Sequence, residues 1–112
     1  MSKLAVAYLR VSTATNQDGH GFDRQKQAID EFADLGRFQL QKIFHEVWTG
    51  AEAERPALSE MLVFMEQESV DHIIVESSDR LASDLMVQFQ ILGHLRNKGV
   101  SVWNASTGDD MT

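Results

Sequence analysis

The chain reads as an α/β protein of one domain, residues 1–112, with a mainly parallel central sheet of about four strands and helices on both faces, a three-layer arrangement. Two observations predict this. Short apolar runs alternate with stretches of helical periodicity in the order βαβαβαβ. Polar clusters also follow two of the apolar runs directly, as they do where parallel strands deliver ligand-binding groups at their carboxyl ends.

The first strand is predicted at about Lys3 to Arg10, carried by the apolar run Leu4 to Leu9. A polar, glycine-containing loop follows from Thr13 to Gly21, suited to a lid or a DNA-contacting segment. From Asp23, the apolar positions Ala28, Ile29, Phe32 and Ala33 recur at helical spacing, and Gly36 is placed to terminate that helix. Phe38, Leu40, Ile43 and Val47 mark a second strand with imperfect alternation, and Trp48 to Arg55 is a loop. Pro56, the only proline, suits the first turn of a helix whose stripe is Leu58, Met61, Leu62 and Met65 and which ends near Glu68. His72 to Val75 is a short apolar strand. A further helix starts near Ser83 or Asp84, turns Leu85, Phe89, Leu92 and Leu95 inward, and stops at Asn97-Lys98-Gly99. Val100 to Trp103 is the last strand, and Asp109-Asp110 is expected in a hydrated tail.

A chain of 112 residues buries roughly two-thirds of its surface on folding and needs no staples. It has no cysteine, which excludes disulfides and thiolate metal sites and fits a reducing cytoplasm. No apolar run is long enough for a membrane span, and the amino terminus lacks a cleavage signal. His20, His45, His72 and His94 are scattered without metal-site spacing, so no metal-ligand role is expected of them. Met61, Phe64, Met65 and Phe89 are expected in the core or a subunit interface. The net charge of −7 opposes binding to nucleic acid, whose phosphates are neutralised by lysine and arginine. Any basic DNA-contacting surface must therefore be local or lie elsewhere, and it is expected to lie outside this chain.

Two clusters carry chemistry. The first strand ends in Tyr8-Leu9-Arg10-Val11-Ser12, which aims Arg10 and Ser12 to the same side. The strand at His72 leads into Ser77-Ser78-Asp79-Arg80. If those strands are parallel neighbours, a hydroxyl, two guanidiniums and a carboxyl group converge on one pocket. Such a set suits attack by an alcohol on a phosphodiester: Ser12 as nucleophile, the arginines on the phosphoryl oxygens, the carboxyl group moving a proton.

Nearly the whole chain resembles the catalytic domain of the serine recombinases, the resolvase/invertase family that includes the large serine integrases. The resemblance rests on four motifs in order: Tyr8 to Ser12 as Tyr-x-Arg-Val-Ser, the pair Arg24-Gln25, Thr49-Gly50 followed by Arg55-Pro56-Ala57-Leu58, and Asp79-Arg80-Leu81. It implies a resolvase-like fold and a site-specific recombinase in which Ser12 attacks DNA, forming a 5′-phosphoserine link and freeing a 3′ hydroxyl without metal or nucleotide. Arg10 and Arg80 would stabilise the pentacovalent phosphorus, Arg55 would bind phosphate, Asp79 would manage a proton or position Arg80, and Gln25 would support the nucleophile's surroundings. The implied partners are recombination-site DNA and further copies of the chain, from dimer to tetramer.

The chain departs from the family pattern in two places. Position 83 is serine where the family repeats an arginine after Asp-Arg-Leu, and losing a guanidinium uncompensated costs about two to three powers of ten in rate. The sequence also ends at Thr112, before the long dimerisation helix and DNA-binding domain that the family leads one to expect. The alternative is thus a catalytically impaired relative that serves oligomer assembly or regulation. A receiver-like signalling domain would need paired acidic residues where Arg10 and Ser12 stand, and a nucleotide-binding enzyme would need a glycine-rich phosphate loop there.

Overall fold

Strand β1, Lys3–Ser12, is an interior strand of the sheet. Alternate side chains leave a strand on opposite faces, and here both faces are covered. Val6 and Tyr8 enter one core cluster while Ala5, Ala7 and Leu9 enter the other. This explains an apolar run without alternation, the mark of a strand buried on both sides. In the computed structural model, residues 3–12, 20–48, 55–82 and 84–112 are described, with the side chains of Ser12, His20 and Trp48 excepted.

The other elements are α1 (His20–Leu35), β2 (Phe38–Trp48), α2 (Pro56–Glu68), β3 (His72–Val75), the single turn α3 (Ser78–Leu81), α4 (Leu85–Asn97), β4 (Ser101–Asn104) and β5 (Asp109–Asp110). The sheet order is β2-β1-β3-β4-β5. The first four of these strands are mutually parallel, and β5 returns antiparallel to β4. Helix α1 places Ile29 and Ala33 against Ala5, Ala7, Leu9 and Ile74. On the opposite face, Met61 and Met65 of α2 and Leu95 of α4 pack with Val6, Tyr8, Ile73, Val75 and Val102. The predicted three-layer α/β architecture is therefore present, with five strands in place of about four.

Several local readings change. Strand β1 runs two residues further, to Ser12, and α1 begins at His20, within the stretch predicted as loop. Asp109-Asp110 forms the edge strand β5, paired with Asn104 and Trp103, although both aspartates remain exposed. Helix α4 does start at an Asp84 cap, whose carboxylate accepts from the N–H groups of Met86 at 2.8 Å and Val87 at 3.4 Å. Half of its predicted inward face holds, with Leu95 buried and Leu92 packed against the core, but Leu85 is 61% exposed and Phe89 62%, and Gln88 is buried. Apolar residues surround this helix, so periodicity could not choose a face. The Gln88 amide, donating to the Ala82 carbonyl at 2.6 Å, turns that side inward.

Gly36 follows α1 for a reason other than backbone conformation. The left-handed residue is Arg37, at φ 59°, while a Cβ on Gly36 would meet the Phe38 ring at 2.8 Å. That ring stacks on Phe32 and meets Trp103 edge-on, so it has little room to yield. Gly93, within α4, has nothing within 4 Å of an added Cβ. Gly36→Ala is therefore expected to cost about 1–3 kcal/mol, and Gly93→Ala to stabilise by about 0.5–1 kcal/mol, both read from urea unfolding.

The start of α2 is capped from outside. Arg55 makes no side-chain cap, and the buried Glu46 carboxylate of β2 accepts instead from the N–H groups of Ala57 at 3.2 Å and Leu58 at 3.1 Å. The same carboxylate accepts the Tyr8 hydroxyl at 3.0 Å. Burial, then the Glu46 charge, push the Tyr8 phenol far above its ordinary value, against smaller opposing effects of Arg55 and Arg10. The folded state thus keeps a proton that the unfolded state releases above about pH 10. Tyr8's contribution to stability is complete below that pH and declines as pH rises past it. Tyr8→Phe should lose about 1 kcal/mol at neutral pH and show a flatter alkaline decline. Because Tyr8 is the only tyrosine, its tyrosinate absorbance reports the titration directly.

Candidate functional site

Parallel pairing of β1 with β3, through Ala5↔His72 to Ala7↔Ile74, turns both strands' carboxyl ends the same way. Beyond Ala7, the chain of β1 continues through Arg10 to Ser12 alongside β2, ending with Ser12 opposite Trp48. Gln25, fully buried on α1, takes over the other side. Its amide oxygen accepts the Arg10 N–H at 3.0 Å and its nitrogen donates to the Arg10 carbonyl at 3.0 Å. A primary amide presents a donor and an acceptor side by side, so Gln25 stands in for a neighbouring strand. The same nitrogen reaches the Gly21 carbonyl at 3.1 Å. Gln25 is thus committed to backbone and sits behind the site.

Arg80, from the α3 turn after β3, closes the assembly. Its Nη1 donates to the Arg10 carbonyl at 3.3 Å and its Nε to Glu76 Oε1 at 3.1 Å. Glu76 is buried, and its second oxygen accepts from Arg24 Nη1 of α1. Two guanidiniums on one buried carboxylate satisfy the rule that a charge removed from water must be paired. Asp79 lies on the exposed side of α3 and accepts from the Ser77 hydroxyl. The carboxylate that holds Arg80 is Glu76.

Arg10 is 4% exposed, on the side of β1 that carries Tyr8. Arg55 precedes α2 and donates through Nη1 to the Leu81 carbonyl at the end of α3. Both guanidiniums lie near enough to Tyr8 to act on its phenol. Backbone and side chains therefore bring Arg10, Arg55 and Arg80 to one end of the sheet, with the last residue of β1, Ser12, beside them. The Ser12 hydroxyl, Ser83 and the Thr49-Gly50 loop lie outside the described residues. Among the described residues, no cluster of histidine, aspartate or glutamate could hold a metal ion, and no helix is long and apolar enough to cross a membrane.

Sequence reasoning missed the two buried carboxylates. Signals for both were present: Glu76 stands four residues before Arg80, the spacing of a helical ion pair, and Glu46 falls directly opposite Arg10 in the parallel register. A register, however, is known only once the strands are paired.

Comparison with known proteins agrees with this fold. A family model described as the resolvase N-terminal domain matches residues 5–112. The transposon Tn552 DNA-invertase BinR of Staphylococcus aureus is 30% identical over 98 residues, covering 88% of this chain and 45% of that protein, so the chain spans about half that relative's length. Among solved structures, the N-terminal catalytic domain of TP901-1 integrase superposes with a TM-score of 0.80 at 23% identity, over 96% of this chain and 81% of that one. A resolvase family site-specific recombinase from Streptococcus pneumoniae gives a TM-score of 0.81 at 18% identity, over 98% and 76% respectively. With one family model accounting for all but the first four residues, and the fold shared with solved recombinase domains, this chain belongs to the resolvase family of serine recombinases, as an N-terminal domain.

Proposed function

We propose that the chain is the catalytic domain of a site-specific DNA recombinase, breaking and rejoining strands through a phosphoserine on Ser12. The observation that carries this reading is the meeting of Arg10 and Arg80 at the carboxyl ends of adjacent parallel strands, joined by the Arg80 bond to the Arg10 carbonyl. Ser12 follows Arg10 by two residues on that strand. The names of the relatives, a transposon DNA-invertase and an integrase catalytic domain, support DNA as the substrate and a mobile element as the setting. Further copies of the chain, from dimer to tetramer, would complete the working complex.

In this reading the Ser12 oxygen bonds to phosphorus and the bond from phosphorus to the 3′ oxygen breaks. The serine loses its proton, the departing 3′ oxygen gains one, and the DNA 5′ end stays esterified to the protein. Rejoining reverses each transfer, and ester exchange conserves the bond energy. Arg10, Arg80 and Arg55 offset the charge that builds on the phosphoryl oxygens. Asp79, exposed beside Arg80, is the carboxyl group available for proton transfer. Gln25 acts behind Arg10 by fixing its strand.

A second reading follows from Ser83, which stands where the family pattern has another arginine. It is a catalytically impaired domain kept for assembly or regulation. Mass spectrometry of the full gene product after reaction with a nicked suicide duplex, made from DNA flanking its gene, separates the two. The first reading expects a DNA adduct on Ser12, absent in Ser12→Ala and formed about 10²–10³-fold more slowly in Arg10→Ala or Arg80→Ala. No adduct from the natural protein, with adduct gained in Ser83→Arg, establishes the second.

A further inference from the structure

A buried carboxylate beside a phosphate-binding site demands an explanation, because it repels the substrate. Glu76 is such a group: it ends the apolar run of β3, is almost fully buried, and divides its two oxygens between Arg80 and Arg24. We propose that Glu76 is a positioning residue for the Arg80 guanidinium, with Arg24 as its counter-charge. The proposal rests on the recombinase reading for its rate effects, and its geometric part stands independently.

The geometry favours organisation of Arg80 over neutralisation. Glu76 takes Nε of Arg80, and the Arg10 carbonyl takes Nη1. Two of the three nitrogens of the planar guanidinium are thereby fixed to protein. Nη2 is the nitrogen without a partner among the described residues, and it is the part of the fork left for an anion. A long side chain that is otherwise free in several rotamers is thus set before the substrate arrives. Glu76 is itself anchored: its carbonyl accepts from the Ser106 N–H at 3.0 Å and from the Ser106 hydroxyl at 2.7 Å.

Arg24 gives the buried carboxylate a second guanidinium partner. Its own side chain is 57% exposed, so it remains largely hydrated while closing the pair. Replacing Arg24 leaves Glu76 with Arg80, whereas replacing Glu76 releases both arginines. The two substitutions should therefore differ in kind.

Single-turnover cleavage and DNA affinity, measured on the full gene product, should move in opposite directions. In Glu76→Gln, removing a negative charge leaves affinity equal or tighter, while cleavage at saturating DNA slows by about 10-fold. In Glu76→Ala it slows by about 10- to 100-fold. Arg24→Ala should change the rate by less than about 3-fold at saturation. Equal loss of affinity and rate in Glu76→Gln, or a rate unchanged in Glu76→Ala, overturns the proposal. If the natural protein forms no adduct, the recombinase reading fails separately, and the positioning role is still decided by nuclear magnetic resonance of the arginine Nε–H groups. Arg80 Nε–H should exchange slowly with water in the natural protein and in Arg24→Ala, and quickly in Glu76→Ala. Slow exchange persisting in Glu76→Ala refutes it.

Discussion

The peptide group of Arg10 imposes the constraint from which the site follows. Among the described residues, β3 pairs with β1 only through Ala7, yet β1 continues through four more buried residues, Tyr8 to Val11. A buried N–H and carbonyl without partners would cost several kcal/mol. Gln25 supplies both missing partners, and Arg80 adds a second donor to the carbonyl. Satisfying one peptide thereby fixes α1 and α3 against the end of β1, and with them the guanidinium of Arg80. The site is a by-product of finishing a strand.

Two carboxylates divide the electrostatic work. Glu46 lies under the start of α2, where unpaired N–H groups and the helix dipole favour a negative charge, and it also takes the Tyr8 hydroxyl. Glu76 lies among arginines. Each is buried and each is multiply bonded, so neither remains as an isolated charge in a poorly polarisable interior. A chain with net charge −7 can in this way present a locally cationic strand end: part of its acidity is spent internally.

The parts legible in the sequence were those set by local chemistry. The double-sided strand β1 showed as an unbroken apolar run, α2 as a proline start with a methionine stripe, and α4 as an aspartate cap. The family emerged from four short motifs in order, which the match over residues 5–112 bears out. What escaped was set by tertiary contact. Strand β5 is two aspartates, with nothing in their composition to suggest a strand; the bond from the Met111 N–H to the Val102 carbonyl at 2.7 Å lies beside its pairing with β4. The α3 turn is too short for periodicity to register. Gly36 looked like a conformational terminator, whereas its small size makes room for Phe38. Gln25 stood out only as half of the Arg24-Gln25 motif, because nothing local says that a strand residue fifteen positions earlier needs its amide.

Residue 76 is gripped at both ends: its carboxylate by arginines near the centre of the sheet, its carbonyl by Ser106 in the turn between β4 and β5. The outer hairpin and the Arg80 guanidinium consequently share a fulcrum. A tilt of that peptide plane swings the carboxylate at its far side, so mechanical load applied to the sheet's rim would reach Arg80 by leverage, without any helix having to move.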